Sequence, residues 1–466
     1  MRATLVLRLP ISLLLLAAVG RPEEWSRFRG PNGQGVSEAT DYPVAFGNGQ
    51  NLLWRTPVRS GKSSPILSDK HVFLTGFENQ TLYTQCFDRF TGKLLWERAE
   101  PVSHKGSVNQ LNHPAAISPV TDGDNVYVFF PDYGLLSYSA AGKRRWRVPL
   151  GPFTNSQGLG AAPILAGKLL ILQIDQLEGS YIAAYSAANG KLRWKTAREE
   201  SESWGTPILH EGPGKEMQII TVGANQIGGH RAADGKRTFT FPQASPSMVA
   251  GPVIDGHTLY AFGYGFQTSM PFSRLLERSD KNKDGVITPD EYGGVNVLRA
   301  AGNYMGNRDG VVNEEKWKLW NDHVKGPTGL VALDLTAANL TVNPVLLWRF
   351  ERGFESVIPS PLLYEGILYS VKNGGILTAI DAKTGTVTKT GRIQGALGGY
   401  SASPVLGGGR LYFVSEEGKA AVVRPGRDWD VERVNDLHEE MFATPALSAG
   451  RIYLRTGAAL YCFGKQ

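Results

Sequence analysis

Short apolar runs separated by Gly, Asp, Asn and Lys recur along most of the chain. Between Ser64 and Trp96 the pattern is clearest: Ser64-Pro65-Ile66-Leu67, then Val72-Phe73-Leu74, then the run from Leu82 to Phe87, and finally Leu94-Leu95-Trp96 after Asp88 and Thr91-Gly92-Lys93. β-Branched, aliphatic and aromatic residues bounded by turn formers read as strands and turns. They predict a four-stranded antiparallel meander, a unit that cannot bury both faces alone and must therefore recur.

It does recur. A small residue, a proline and an aliphatic open further units at Ser118-Pro119, Ala162-Pro163, Thr206-Pro207, Gly251-Pro252, Ser360-Pro361, Ser403-Pro404 and Thr444-Pro445. Counted from Pro65, the prolines lie 54, 44, 44, 45, 109, 43 and 41 residues apart. A spacing near 44 matches a β-propeller blade of roughly 40–50 residues, and the 109 gap predicts an insertion in the fifth repeat. Asn51-Leu52-Leu53-Trp54-Arg55 reads as a fourth strand without its first three, like Leu192-Arg193-Trp194 or Leu346-Leu347-Trp348. The last repeat has three strands and stops at Gln466 before a fourth. The two fragments complete one blade, which closes the ring and leaves no long open edge. The predicted fold is an all-β, eight-bladed β-propeller closed by an N-terminal strand.

Residues 1–20 read as a secretory signal peptide: Arg2 and Arg8, a leucine-rich centre, and Ala18-Val19-Gly20 for cleavage. The apolar core is too short and too broken by Pro10 for a membrane anchor, so a periplasmic or secreted monomer is expected. Loss of the leader lowers the formal charge of +6 by two, and without a basic run there is no case for nucleic acid. The two cysteines, Cys86 and Cys462, occupy the same strand position in the first and last repeats. Equivalent points of adjacent blades stand farther apart than the roughly 7 Å Cα limit of a disulfide, so two buried free thiols are expected.

Cys86-x-Asp88-x-x-Thr91-Gly92-x-x-x-Trp96 recurs as Ala184-x-Ser186-x-x-Asn189-Gly190-x-x-x-Trp194 and, without the Trp, as Ala379-x-Asp381-x-x-Thr384-Gly385. This phrase resembles the tryptophan-docking motif of the pyrroloquinoline-quinone (PQQ) family of eight-bladed propellers. Trp25-x-x-Phe28-Arg29-Gly30-Pro31 is similar to the start of exported bacterial proteins of that kind. The resemblance covers the chain from about Trp25 onward and implies fold more than activity. Quinoproteins of the family bind PQQ beside a calcium ion inside the ring and use a catalytic Asp; no such Asp-and-Asn set is evident in the inner loops. The propeller lipoprotein of the outer-membrane β-barrel assembly machinery is a second relative in fold. It carries a lipid-bearing cysteine at its leader that this chain lacks, so membership of that machine is not expected.

The insertion, residues 268–327, carries the sharpest chemical signal. A short helix from Pro271 to Arg278 leads into Asp280-Lys281-Asn282-Lys283-Asp284-Gly285-Val286-Ile287-Thr288-Pro289-Asp290-Glu291. This matches the EF-hand loop pattern, with oxygen donors at positions 1, 3 and 5, Gly at 6, an aliphatic at 8 and Glu at 12. Asp280, Asn282 and Asp284 would give side-chain oxygens and Val286 its carbonyl. Thr288 would act through its hydroxyl or a water, and Glu291 would close the Ca²⁺ shell bidentately. A broken copy at 305–316 has Met305 and Lys316 where the first and last ligands belong. It is expected to pair with the first, Val312 beside Ile287, and to bind no ion.

The propeller proper, 21–267 and 328–466, offers a channel mouth where loops entering the innermost strands converge. Candidate binding residues there are His104, Asn109, Asn112, His113, Asn155, Gln157 and Trp204, then Glu355, Tyr400, His438, Glu439 and Glu440. A mouth of polar and aromatic groups suits a ligand, yet no spacing among these residues marks a nucleophile–base pair. The expectation is a binding or scaffold protein for a protein or carbohydrate partner, with one calcium site. The alternative is a periplasmic oxidoreductase using PQQ or acting on sugars.

Overall fold

The computed structural model describes residues 25–104, 112–242, 249–263, 270–293, 298, 301–302, 309–324, 329–339, 341–350 and 358–465. The leader at 1–20 and the candidates Asn109 and Glu355 lie outside the described residues, as do Met305 and Asn307 of the second loop.

The described strands form eight four-stranded antiparallel sheets. In seven the strands follow chain order. The eighth joins Leu52–Pro57 to Ala459–Phe463, Arg451–Arg455 and Ala446–Ser448, with Trp54 opposite Cys462. The ring therefore closes where the sequence pattern placed the joint. We number the blades from that of Ile66–Leu67, the composite being the eighth. Cys86 and Cys462 are both buried and free. No described helix is long and apolar enough to cross a membrane.

Adjacent blades are held by their tryptophans. The fourth-strand indoles of Trp96, Trp146, Trp194 and Trp348 donate from Nε1 to Ala140, Ala187, Ala232 and Ala382 of the next blade, at 2.7–3.1 Å. Each ring lies on the turn glycine of that neighbour: a Cβ on Gly190 would stand 2.8 Å from Trp146, and one on Gly142 2.7 Å from Trp96. Those glycines have φ of 71° and 79°, a left-handed conformation that Gly adopts without penalty. The motif works as interlocking packing.

A second belt runs around the channel. The N–H of Ser64 donates to the hydroxyl of Ser118 at 2.9 Å, and that of Ala162 to Thr206 at 3.0 Å. Gly251 donates to Ser360, Ser360 to Ser403, Ser403 to Thr444, and Thr444 back to Ser64, at 2.9–3.1 Å. These are the small residues before the repeat prolines. Where the next residue is Ala162 or Gly251, it has no hydroxyl to accept.

Residues 25–37 plug the end of the channel reached by the innermost strands. Leu67 and Thr121 donate their N–H to the carbonyls of Trp25 and Ser26, both at 2.9 Å. Arg27 and Arg29 each donate to a proline carbonyl, Pro207 and Pro361, at 2.6 Å. Leu406 bonds Gly35 and Ser37. One short segment thus touches blades 1, 2, 4, 6 and 7.

The insertion leaves blade 5 after Thr258–Gly263 and returns at Gly329–Asp334, whose ends pair Gly263 with Gly329. That connection opens on the channel's other face. Helices Phe272–Ser279 and Glu314–Val324 enclose a small core of its own, with Phe272, Leu275, Ile287, Val312 and the stacked pair Trp317 and Trp320, 5.1 Å between ring centroids.

Candidate functional site

With the plug behind it, the channel is a blind cup of about 470 Å³. Phe28 of the plug reaches its lining, and the belt residues from Ser64 round to Thr444 form its wall. Lys62, Asn112, Gln157, Trp204, Asn373, Ser401 and Phe442 stand at the lip. Trp204 is fixed by its Nε1, which donates to Gly158 O at 2.8 Å. Asn112 Nδ2 bonds the carbonyls of Gln157 and Gly158 at 3.0 Å. Lys62 Nζ lies 3.9 Å from the Phe442 ring centre, and burial draws its pKa down against the opposing pull of Glu416 and Glu440.

Of the residues expected at the mouth, Asn112, Gln157 and Trp204 line the cup. The other described candidates are not among its lining residues. His104 Nε2 meets Pro131 O at 2.8 Å, and His113 Nδ1 takes the N–H of Ala115 at 3.1 Å. Burial pushes His113 down to about 4, with Arg455 and Lys62 adding to the shift, so it is neutral at physiological pH. Asn155 is buried, bonding Asp175 O at 3.1 Å; Tyr400 bonds Ala396 O at 2.7 Å. His438 stands beside Asp436 at 3.2 Å. Glu439 is taken by Arg55 at 3.0 Å, by the Tyr461 hydroxyl at 2.7 Å and by Thr456. Phe28, Lys62, Asn373, Ser401, Phe442 and the belt hydroxyls were missed. The belt had a signal: its members are the first residues of the repeated Ser/Thr-Pro step.

On the opposite face an open groove of about 590 Å³ runs between the turns of blades 5, 6 and 7, past Asp255, Tyr260, Glu365 and Tyr369. Its Asp381 is already paired with Arg427.

In the insertion, Asp280 accepts from the N–H of Lys283 at 2.7 Å and of Gly285 at 3.0 Å, and Asp284 from Val286 at 3.0 Å. Asn282 Oδ1 takes the N–H of Asp284 at 2.9 Å. Glu291 folds back from the far end, taking Thr288 and Lys281 N–H groups, both at 2.9 Å. The Thr288 amide and hydroxyl, then the Lys281 and Asn282 amides, bring its carboxyl down to about 2. Ile287 and Val312 exchange both backbone hydrogen bonds at 2.9 Å, tying the two loops together. No described Lys or Arg pairs with these carboxylates. In the second loop Lys316 Nζ instead sits on Asp309 at 2.6 Å and Gly302 O at 3.2 Å. The charged and polar side chains of the first loop offer oxygen donors, the ligand type that Ca²⁺ takes. Loop amides hold its carboxylates, and among the described residues no three acidic, His or Cys side chains stand together as a cage.

The family described as "Outer membrane protein assembly factor BamB" matches residues 44–173, 85–271 and 323–465. The chain belongs to this family. Among solved structures, BamB from Moraxella catarrhalis is similar at 10% identity, with a TM-score of 0.55 over 88% of this chain and 99% of that one. A computationally designed protein, Ika8, is similar at 12% identity, TM-score 0.56, over 90% of this chain and 100% of its own. A europium-containing methanol dehydrogenase is similar at 9% identity, TM-score 0.41, over 86% and 89%. No curated protein matches the chain. At these identities the likeness to BamB and to Ika8 is one of fold.

Quinoproteins of the wider PQQ-like group hold their cofactor beside a calcium ion inside the ring. A calcium ion beside the quinone requires carboxylate donors. Among the described lining residues there is no Asp, Glu or His. The described lining does not supply such a donor set.

Proposed function

We propose that the protein is an exported binding protein, that its ligand enters the cup at the channel mouth, and that one Ca²⁺ braces the insertion on the same face. The observation that carries this reading is the blind cup: hydroxyls in its wall, amides and two aromatic rings at its lip, and no nucleophile–base pair among its described residues. Such a site grips and orients a ligand, and nothing in its described wall is arranged to cleave or oxidise one. Export rests on the leader read at residues 1–20. The calcium role rests on Asp280, Asn282, Asp284, Val286, Thr288 and Glu291.

The family description supports a second reading, in which the same face docks another protein. Screening sugars, organic acids and peptides by thermal shift, then mapping binders by hydrogen–deuterium exchange, tests both. Slowed exchange in 112–118, 155–160 and 200–206 on small-molecule binding is expected. Protection confined to the outer strands, or the absence of any binder, contradicts the cup reading. PQQ with Ca²⁺ is expected to give neither a bound-quinone spectrum nor dye reduction.

A further inference from the structure

Beneath and beside the cup lie three buried guanidiniums, Arg27, Arg29 and Arg455. Each bonds a carbonyl next to a belt residue: Arg27 reaches Pro207 O beside Thr206, Arg29 reaches Pro361 O beside Ser360, and Arg455 reaches Ser63 O beside Ser64. Among the described residues none has a carboxylate partner. Nε of all three, and Nη1 of Arg29, have no hydrogen-bond acceptor. Burial draws each pKa down to about 9, with Arg27 adding to the shift of Arg29. At neutral pH all three remain charged. An uncompensated buried charge is costly, and its field is weakly screened by the surrounding protein.

The belt adds donors of matching sense. Ser64, Ser118, Thr206, Ser360, Ser403 and Thr444 each accept a neighbour's N–H. A hydroxyl that accepts one bond still has its own proton to give, and these six line the cup. Lys62 is the one charged side chain in the described lining. Against it stand Glu416, which takes the Ser401 hydroxyl at 2.5 Å, and Glu440.

We propose that the cup selects small carboxylate-bearing anions over neutral ligands of the same shape. This deepens the binding reading above and rests on it. The carboxylate would take belt hydroxyl protons and face Lys62, while its charge offsets the arginines behind the wall.

Calorimetric titration of the calcium-loaded protein with galacturonate, succinate and galactose tests the inference. Both acids are expected to bind, with galactose about tenfold weaker or more, the loss of a charge-assisted contact. Raising salt from about 20 to about 200 mM should weaken galacturonate and leave galactose unchanged. Lys62→Gln should weaken galacturonate about threefold to tenfold with an unmoved melting temperature, and Trp204→Ala should weaken it too. Equal binding of galactose overturns the charge selection while leaving the cup as the binding site. Absence of binding by both acids overturns the inference, as does acid binding that neither variant weakens.

Discussion

The backbone N–H of Thr444 donates to the hydroxyl of Ser64 at 3.1 Å, across 380 residues of chain. This contact joins blade 8 to blade 1, and it repeats the bond linking most other neighbours around the channel. Where the belt is interrupted, chemistry explains the gap: Ala162 has no hydroxyl for the N–H of Ser118, and Gly251 has none for Thr206. Ala162→Ser supplies the first. It should stabilise the protein by about 1 kcal/mol, the usual net worth of one hydrogen bond, read as a higher urea midpoint. Ser64→Ala should lower the midpoint by a similar or larger amount.

Gly190 has φ 71° and lies on the Trp146 ring. A methyl there meets both a disfavoured backbone and the indole. Gly190→Ala should cost about 1–3 kcal/mol, measured by urea unfolding, whereas Gly167→Ala, with open space around it, should lose only the backbone part.

Glu200 is buried near Arg198, whose guanidinium is taken by Asp175 at 2.7 Å, leaving Glu200 3.8 Å away. Burial raises its carboxyl to about 7, with Arg198 opposing. A carboxyl whose folded pKa exceeds its unfolded value of about 4.5 lends stability that is full below that value. The contribution is lost as pH rises through about 7. Glu200→Gln should therefore flatten this component. Between pH 5 and pH 8 the wild type should lose on the order of 2–3 kcal/mol relative to the variant, measured by urea unfolding at each pH.

Calcium titration of the wild type against Glu291→Gln tests the insertion. Removal of the closing carboxylate should weaken Ca²⁺ by at least about tenfold. Equal affinities would contradict the assigned ligand set.

Burial pushes both thiols up, Cys462 to about 12. A protonated, enclosed thiol is a poor nucleophile. Iodoacetamide should leave Cys86 and Cys462 unmodified in the native protein and label both in urea, as mass spectrometry would show.

The fold was legible because its signal is repeated. Eight Pro-aliphatic steps, and Trp54 without its preceding strands, specify both blade count and joint. The Ile287–Val312 pairing was likewise legible, since both are the aliphatic residue at the eighth place of the repeated loop pattern. The cup was less so. Loops read from chain order brought His104, Asn155 and Tyr400 toward the mouth, but each satisfies a buried carbonyl nearby. Lys62 and Phe442 lie in connections whose aim depends on how far each blade is rotated, which local sequence does not set. Arg27 and Arg29 sit in a segment of irregular backbone, where periodicity carries no information.

The cup is the binding site only if a ligand sits in it. A crystal structure of the protein with the tightest compound from the thermal-shift screen is the direct measurement. Density is expected inside the channel mouth, between Phe28, Trp204 and Phe442. Density on the outer strands or in the groove past Asp255 and Glu365, with the cup filled only by water, would contradict it.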